Sequence, residues 1–212
     1  MSFSRKLLLG SLLAVSANSA FAVDTAELRV IGTIAPTACT PNFAGGGVID
    51  YGVIPTASLS PTVATPLQVR TMSYTITCDA PIAIGTSWQD SRVSSAVGGG
   101  PTGFGLGLQG TASIGRYTLA QRPGSGATGD GAPVDLISRN GTAPRIAVVG
   151  GGQNNAGAVV QAYAAPGTLI PAAYSIYTGI FEVAPSISPT STLDMSNSIT
   201  LDGLATMTVR YL

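Results

Sequence analysis

The segment VDTAELRVIGTIAP, residues 23–36, decides how this chain has to complete its fold. Apolar residues in it fall on alternate positions, as they do in a β-strand that buries one face. The positions that share this face are Leu28, Val30, Gly32 and Ile34. The neighbouring sequence offers no evident strand partner for that face, so we expect the partner to be another molecule.

Residues 1–22 have the three parts of a secretion signal. A positively charged start is followed by a short apolar run and by the tripeptide AFA at 20–22, which has the A-x-A form of a cleavage site. A membrane anchor is the alternative, but the apolar run spans only about half of the roughly 20 residues that a spanning helix needs. We therefore predict an exported chain that begins at Val23.

Charge and composition exclude several classes of function. The chain has no histidine, and of its ten basic residues Arg5 and Lys6 precede Val23, so that eight basic residues face ten acidic ones in the mature chain. This balance lacks the dense basic patch of a nucleic-acid-binding protein. A histidine-dependent triad and a lysine-dependent phosphate loop are both impossible. We predict no enzyme activity, no cofactor, no metal site and no nucleic-acid partner.

Cys39 and Cys78 are the two cysteines of the chain. An even number of cysteines in an exported protein predicts a disulfide. Closing a loop of this length would stabilise the fold by about 4 kcal/mol according to the chain-entropy estimate. Two free buried thiols are the alternative.

The rest of the mature chain has the pattern of short strands separated by turns. The 27 glycines and 14 prolines interrupt most windows, and no run combines helical spacing with helix caps. The predicted strands are 26–35, 47–52, 67–78, 81–88, 103–109, 113–120, 133–138, 143–149, 156–164, 174–184 and 197–211. The glycine-rich stretches 97–110, 123–132 and 150–157 are predicted loops. This pattern predicts one all-β domain, a β-sandwich, with the single tryptophan, Trp88, in its core.

The chain resembles the subunits of chaperone–usher pili (fimbriae) of Gram-negative bacteria. Four segments in the same order carry the resemblance. They are the N-terminal strand, IDYGVIPTASLS at 49–60, YTITC at 74–78 and MTVRYL at 207–212. Among pilins the chain is most similar to a poorly characterised group of fimbrial-like proteins. It departs from the pilin pattern ahead of the last strand, where Ile199 replaces a frequent glycine and the nearest glycine is Gly203.

The resemblance implies an incomplete immunoglobulin-like β-sandwich, the pilin fold, which lacks its last strand and accepts a donor strand from outside. Residues 1–22 would be the signal peptide, 23–36 the donor-strand extension and 37–212 the pilin-like domain. Leu28, Val30 and Ile34 would fill pockets of a neighbouring subunit, and Gly32 would pass where no side chain fits. The chaperone would first pair with the C-terminal strand, around Met207, Val209 and Tyr211.

The implied function is that of a structural pilus subunit that polymerises by donor-strand exchange and supports cell adhesion or biofilm formation. Its partners would be a periplasmic pilus chaperone, an outer-membrane usher and neighbouring subunits in a homo- or heteropolymer. Its location would be the periplasm and then the cell-surface fimbrium. A carbohydrate-binding sandwich, periplasmic or at a fimbrial tip, is the alternative from another class, with loops 97–132 and 150–165 as its binding surface.

Overall fold

The computed structural model describes residues 29–31 and 38–212. The chain divides into two units, Met1–Ala35 and Pro36–Leu212, and the fold described below is that of the second. The predicted signal peptide lies outside the described residues. No helix in the described part is long and apolar enough to cross a membrane.

Of the four residues predicted to share one face of the donor strand, Val30 alone is described. Its side chain is 88% exposed, and that of its neighbour Ile31 is 78% exposed. Neither residue belongs to a strand. Leu28, Gly32 and Ile34 lie outside the described residues. The two apolar side chains that can be located in this segment are therefore both in solvent.

The described residues form an antiparallel β-sandwich, and no α-helix occurs among them. The prediction of an all-β sandwich is confirmed. The strands are β1 (Cys39–Phe43), β2 (Thr65–Pro66), β3 (Arg70–Asp90), β4 (Phe104–Gly105), β5 (Leu108–Gln109), β6 (Ala112–Ser113), β7 (Gly115–Ala120), β8 (Thr128–Gly129), β9 (Ala132–Pro133), β10 (Asp135–Asn140), β11 (Ile146–Ala147), β12 (Val159–Ala164), β13 (Ala173–Ile187) and β14 (Ala205–Tyr211).

Two sheets face each other, and β3 belongs to both. The first sheet has the order β1-β3-β13-β7-β4, and the hairpin β8-β9 and the short β2 also pair with β13. The second sheet has the order β14-β3-β12-β10-β11. In the second sheet Met207 of β14 lies opposite Trp88 of β3. β3 thus connects β14, the last strand of the domain, to the first sheet.

The long β3 replaces the two strands predicted at 67–78 and 81–88. Its residues 70–83 pair with β13, and its residues 84–90 pair with β14. Pro81 lies near the point where the strand passes from one sheet to the other. Proline cannot donate to a ladder and is usually found at strand ends or edges, which is why the sequence predicts a break where the structure has a continuous strand.

Aromatic side chains from the two sheets meet in the core. The ring of Trp88 packs edge-on against Phe181 with centroids 5.0 Å apart, and the rings of Tyr163 and Tyr177 lie 4.8 Å apart. All four side chains are buried. Alternation along β13 brings Tyr177 and Phe181 to the same inner face. The prediction that Trp88 is a core residue is confirmed.

Two predictions about local structure, one of a strand and one of a loop, are wrong. Residues 47–52 are not a strand, because three glycines with positive φ, Gly45 to Gly47, turn the chain through a 3-10 segment directly after β1. The predicted loop 123–132 contains β8, which pairs with Tyr177 and Thr178 of β13. Short hairpins of this kind carry too few alternating residues to be distinguished from loops by pattern.

The predicted disulfide is confirmed. Cys39 and Cys78 are bonded, and they face each other across the β1–β3 pair with their Cα atoms 4.0 Å apart. The bond joins the first described strand of the domain to the strand that both sheets share. Residues adjacent to Cys39 are thereby fixed to the sandwich.

Candidate functional site: an open groove beside the last strand

β14 presents apolar side chains to the core and polar side chains to solvent. Met207 is buried and Val209 is half-buried, whereas Thr208 and Arg210 between and beside them are exposed. Tyr211, next on the inward face, is half-exposed at the end of the strand. The three residues that the resemblance assigns to chaperone pairing thus share the face that meets the core.

β3 covers one edge of β14, and the other edge has no strand partner among the described residues. Leu204 accepts a backbone hydrogen bond from Ser91, and Leu212 donates one to Ala83. Hydrogen-bonding direction alternates along an antiparallel strand, so the even-numbered residues turn their backbone groups toward β3. The N–H and C=O groups that point along the open edge are those of Ala205, Met207, Val209 and Tyr211. Such a row is a template for a further strand.

At the start of this edge, beside Leu204 and Ala205, the sandwich opens into a groove with a volume of about 1010 Å³. Core side chains of both sheets form its floor, and two loop segments, 49–56 and 197–201, complete its lining. The floor includes Trp88, Leu106, Tyr117, Leu119, Phe181 and Ile187. Protein interiors contain few voids larger than a water molecule. A groove of this size is therefore a gap in the packing at the surface of the sandwich.

Trp88 leaves a polar group unsatisfied in the floor of the groove. Its side chain is 5% exposed and packs between Phe181 and Phe43, with ring centroids 5.0 and 5.9 Å away. The indole Nε1–H is buried and has no acceptor among the described residues. Buried donors are normally paired. The floor of the groove therefore contains one hydrogen-bond donor, the Trp88 Nε1–H, for which the described residues supply no acceptor.

A polar cluster stands behind the floor and bridges the two sheets. The hydroxyls of Tyr74 and Tyr163 are 2.7 Å apart, and Gln121 Nε2 donates to Tyr74 Oη at 2.5 Å. Burial raises the pKa of Tyr74 to about 12, and the hydrogen bonds from its neighbours oppose the shift only in part. Burial also raises the pKa of Tyr163. Both phenols are therefore neutral at physiological pH.

Asp90 anchors the loops at the β4 end of the groove. Its carboxylate accepts the amide N–H groups of Arg92 and Gly105, at 2.7 and 2.8 Å. Arg92 in turn forms an ion pair with Asp202, with Nη2 and Oδ2 2.8 Å apart. Burial, together with the negative charge of Asp90, raises the pKa of Tyr117 in the groove floor. These contacts hold the loop before β14 against β4.

Gly203 allows this loop to approach the floor closely. A Cβ atom at this position would lie 2.9 Å from Tyr117 Cε1 and 3.3 Å from Leu106 Cδ2. Gly203 and Ile199, which stands where pilins often have a glycine, both line the groove. A larger residue at position 203 would therefore displace the ring of Tyr117.

The opposite flank is fixed by an arginine. The guanidinium of Arg70 lies 4.9 Å from the centre of the Tyr51 ring, and its Nη1 donates to the carbonyl of Asp50 at 2.6 Å. Tyr51 Oη donates to the carbonyl of Val183 in β13 at 3.2 Å. Burial raises the pKa of Tyr51 and the charge of Arg70 opposes that shift. The segment that the resemblance singled out at 49–60 is thereby held at the groove as a loop.

Contacts at the start of β1 lie next to the C-terminal end of β14. The amide N–H of Cys39 donates to Tyr211 Oη at 2.9 Å. Ala38 exchanges hydrogen bonds with Asp79, donating to its Oδ2 at 3.4 Å and accepting from its N–H at 3.0 Å. The first residues of the domain are therefore attached next to the end of β14.

The groove has the chemistry of a peptide-binding surface. Its floor is apolar, its edge offers backbone donors and acceptors, and no group of His, Cys, Asp or Glu that could hold a metal occurs in residues 29–31 and 38–212. An extended apolar segment would satisfy both the floor and the edge. The sequence pattern predicts the alternation of β14. It does not identify Tyr117 and Leu106 as groove residues, because local sequence does not distinguish a residue of the groove floor from any other core residue.

Comparisons with known proteins relate the chain to a family of bacterial proteins. A family model described as "Protein of unknown function (DUF1120)" matches residues 28–130. The protein GltF of Escherichia coli (strain K12) is 30% identical over an alignment of 244 positions, gaps included, which covers 94% of each chain. The uncharacterized protein YhcF of the same organism is 28% identical over an alignment of 227 positions, which covers 92% of this chain and 94% of the relative.

Proposed function

The chain belongs to the family described as "Protein of unknown function (DUF1120)", and we propose that it is a structural subunit of a chaperone–usher pilus that polymerises by donor-strand exchange. Residues 23–36 of one subunit would enter the groove of the next. The proposed role in the cell is adhesion or biofilm formation, and the proposed final location is the cell-surface fimbrium.

The observation that carries this proposal is the open groove beside the unpaired edge of β14. Exposed apolar side chains at the rim of the groove, such as Val53 and Leu204, and unpaired backbone groups both cost free energy, and one inserted strand would cover both. The odd-numbered residues of β14 offer backbone groups and inward side chains at the same place.

The N-terminal segment has the properties that the groove requires. Leu28, Val30 and Ile34 would lie on its inward face, and the exposure of Val30 in the described part supports a partner outside its own unit. Burial of each such side chain is worth about 1.5–3 kcal/mol. Three of them, together with a ladder of backbone hydrogen bonds along β14, would hold a neighbouring subunit firmly without any covalent bond.

Before assembly the groove would need a temporary occupant. We propose that a periplasmic chaperone supplies a strand to the open edge around Met207 and Val209, and that the subunit exchanges it for residues 23–36 of the next subunit at an outer-membrane usher. The exposed apolar side chains at the rim of the groove, Val53 and Leu204, support this requirement, because exposed apolar patches favour aggregation.

A matched pair of variants tests the proposal. Gly32→Leu adds a bulky side chain to the face that would enter the groove, whereas Thr33→Leu adds one to the opposite face. We expect Gly32→Leu to abolish the ladder of heat-sensitive multimers on an unboiled gel while the subunit still co-purifies with the chaperone. Thr33→Leu should polymerise normally. Normal multimers from Gly32→Leu, or its loss of chaperone binding as well, would contradict the donor-strand role.

A further inference from the structure

Arg210 is the only charged residue of β14. It is exposed on the outer face of the strand, and its Nε donates to Ser87 Oγ at 3.2 Å. No carboxylate forms an ion pair with it among the described residues. A strand that adds to the open edge of β14 would place its own outward side chains next to this guanidinium.

The N-terminal segment carries opposite charges at the two positions that can meet Arg210. If Leu28 and Val30 face the groove, Glu27 and Arg29 face outward, on the same side of the sheet as Arg210. The segment can therefore offer the guanidinium either a carboxylate or a second guanidinium, depending on its register.

Among the antiparallel registers that keep the apolar face inward, two place a charged residue opposite Arg210, and they differ by two residues. In the first, Glu27 lies opposite Arg210 and Leu28 lies opposite Val209. In the second, Arg29 lies opposite Arg210. Opposite charges directly across a sheet stabilise the pair and like charges destabilise it, so the first register is favoured.

A parallel arrangement does not offer the same pairing. If Glu27 lay beside Arg210 with the strands parallel, Val30 and Ile34 would lie past Tyr211, at the end of β14 opposite to Gly203, Leu204 and Ala205, which line the groove. The groove would then lose two of the apolar side chains that fit it.

We propose that Arg210 sets the register of the incoming strand by binding Glu27 of a second copy of this chain. This inference rests on the proposed function and adds to it that a subunit accepts its own kind. In the resulting register Val30 lies opposite Met207, Gly32 lies opposite Ala205, and Ile31 lies opposite Thr206.

The register can be measured by disulfide cross-linking. Thr206 and Thr208 turn their backbone groups toward β3, so their pairs with an added strand are of the close, non-hydrogen-bonded type, whose Cα spacing of about 4.5 Å permits a disulfide. The native cysteines are bonded to each other. Ile31→Cys with Thr206→Cys reports the proposed register, and Ile31→Cys with Thr208→Cys reports the register shifted by two residues.

We expect covalent multimers on a boiled, non-reducing gel predominantly from the Thr206→Cys pair. Adding Arg210→Glu should favour the shifted register, because Glu27 would then meet a carboxylate and Arg29 would meet an opposite charge. The ratio of the two cross-links should change by about fivefold toward Thr208→Cys. Combining Glu27→Arg and Arg29→Glu with Arg210→Glu places opposite charges together in the first register and like charges together in the shifted one, and it should restore the original ratio.

The control is Arg145→Glu, which makes the same charge change next to β11, at the opposite edge of the second sheet. It should leave the ratio unchanged. The inference is overturned if cross-links form mainly at Thr208→Cys with the native charges, or if Arg210→Glu leaves the ratio of the two cross-links unchanged. In either case, a heat-sensitive ladder on the unboiled gel would still support the proposed function. Absence of both covalent and heat-sensitive multimers, or cross-links only within one chain, overturns both.

Discussion

The amide N–H of Cys39 donates a hydrogen bond to Tyr211 Oη at 2.9 Å, although the two residues belong to different sheets. Cys39 begins β1 of the first sheet and is bonded to Cys78. Tyr211 ends β14 of the second sheet and lies opposite Ile84. The contact therefore joins β1 and β14, the two strands that flank the open side of the sandwich.

Tyr211→Phe should weaken this connection without altering the core. Loss of one partly exposed hydrogen bond is expected to lower the free energy of unfolding by about 0.5–1.5 kcal/mol, measured from the urea midpoint. Thr208→Val, a change on the exposed face of the same strand, should stay within about 0.5 kcal/mol of the native protein. Equal midpoints for Tyr211→Phe and the native protein would show that the contact is not stabilising.

Gly179→Ala should disturb the polar cluster behind the groove. A Cβ atom at this position would lie 2.5 Å from both Gln121 Nε2 and Tyr74 Oη. Since the core is closely packed, we expect a loss of about 1–3 kcal/mol in the free energy of unfolding. Gly152→Ala is the matched control, because its nearest contact, Thr102 Cγ2, would be 3.7 Å away. A neutral Gly179→Ala would mean that the cluster can move aside.

Stability should fall in alkaline solution as Tyr74 ionises. Its pKa is raised by burial from the usual 10 to about 12, so the unfolded chain loses this proton at a lower pH than the folded one. The stabilisation is fully present below pH 10 and is lost as the pH rises through about 12. It amounts to about 3 kcal/mol for this phenol.

The measurement is the free energy of unfolding by denaturant between pH 8 and pH 12. Tyr74→Phe should flatten the alkaline decline, although Tyr163, whose pKa is also raised, will retain part of it. The same slope in the variant and in the native protein would exclude Tyr74 as the cause.

Removal of the disulfide should lower the free energy of unfolding more than Tyr211→Phe or Gly179→Ala does. Cys39→Ala combined with Cys78→Ala opens a loop with a sequence separation of 39 residues, and the chain-entropy estimate for such a loop is about 4 kcal/mol. Thermal unfolding of the double variant and of the native protein under oxidising conditions measures the difference. A loss below about 1 kcal/mol would show that β1 is held mainly by its ladder with β3.

The sequence predicts those parts of the fold that depend on local alternation. β7, β12, β13 and β14 lie where alternating residues indicate strands, and the disulfide follows from an even count of cysteines in a chain predicted to be exported. β1 was missed because its interior, Thr40, Pro41 and Asn42, has no apolar alternation. Its position depends on pairing with β3 and on the bond between Cys39 and Cys78.

The groove itself could not be predicted from local patterns. Tyr117 and Phe181 alternate in their strands like any core residue, and only the relative position of the sheets leaves them beside an opening. The hydrogen bonds among Tyr74, Tyr163 and Gln121 join residues far apart in the chain. Such contacts are set by tertiary packing rather than by spacing.

Deletion of residues 23–35 tests most directly whether the sandwich of one subunit is completed by a strand from a neighbouring subunit. The truncated chain and the native chain are purified from the periplasm and run without boiling on a gel, with boiled samples as the reference. We predict a heat-sensitive ladder for the native chain and none for the truncated chain, which should still bind the chaperone. A ladder from the truncated chain, or a stable native monomer that is unaffected by the deletion, would contradict polymerisation by donor-strand exchange.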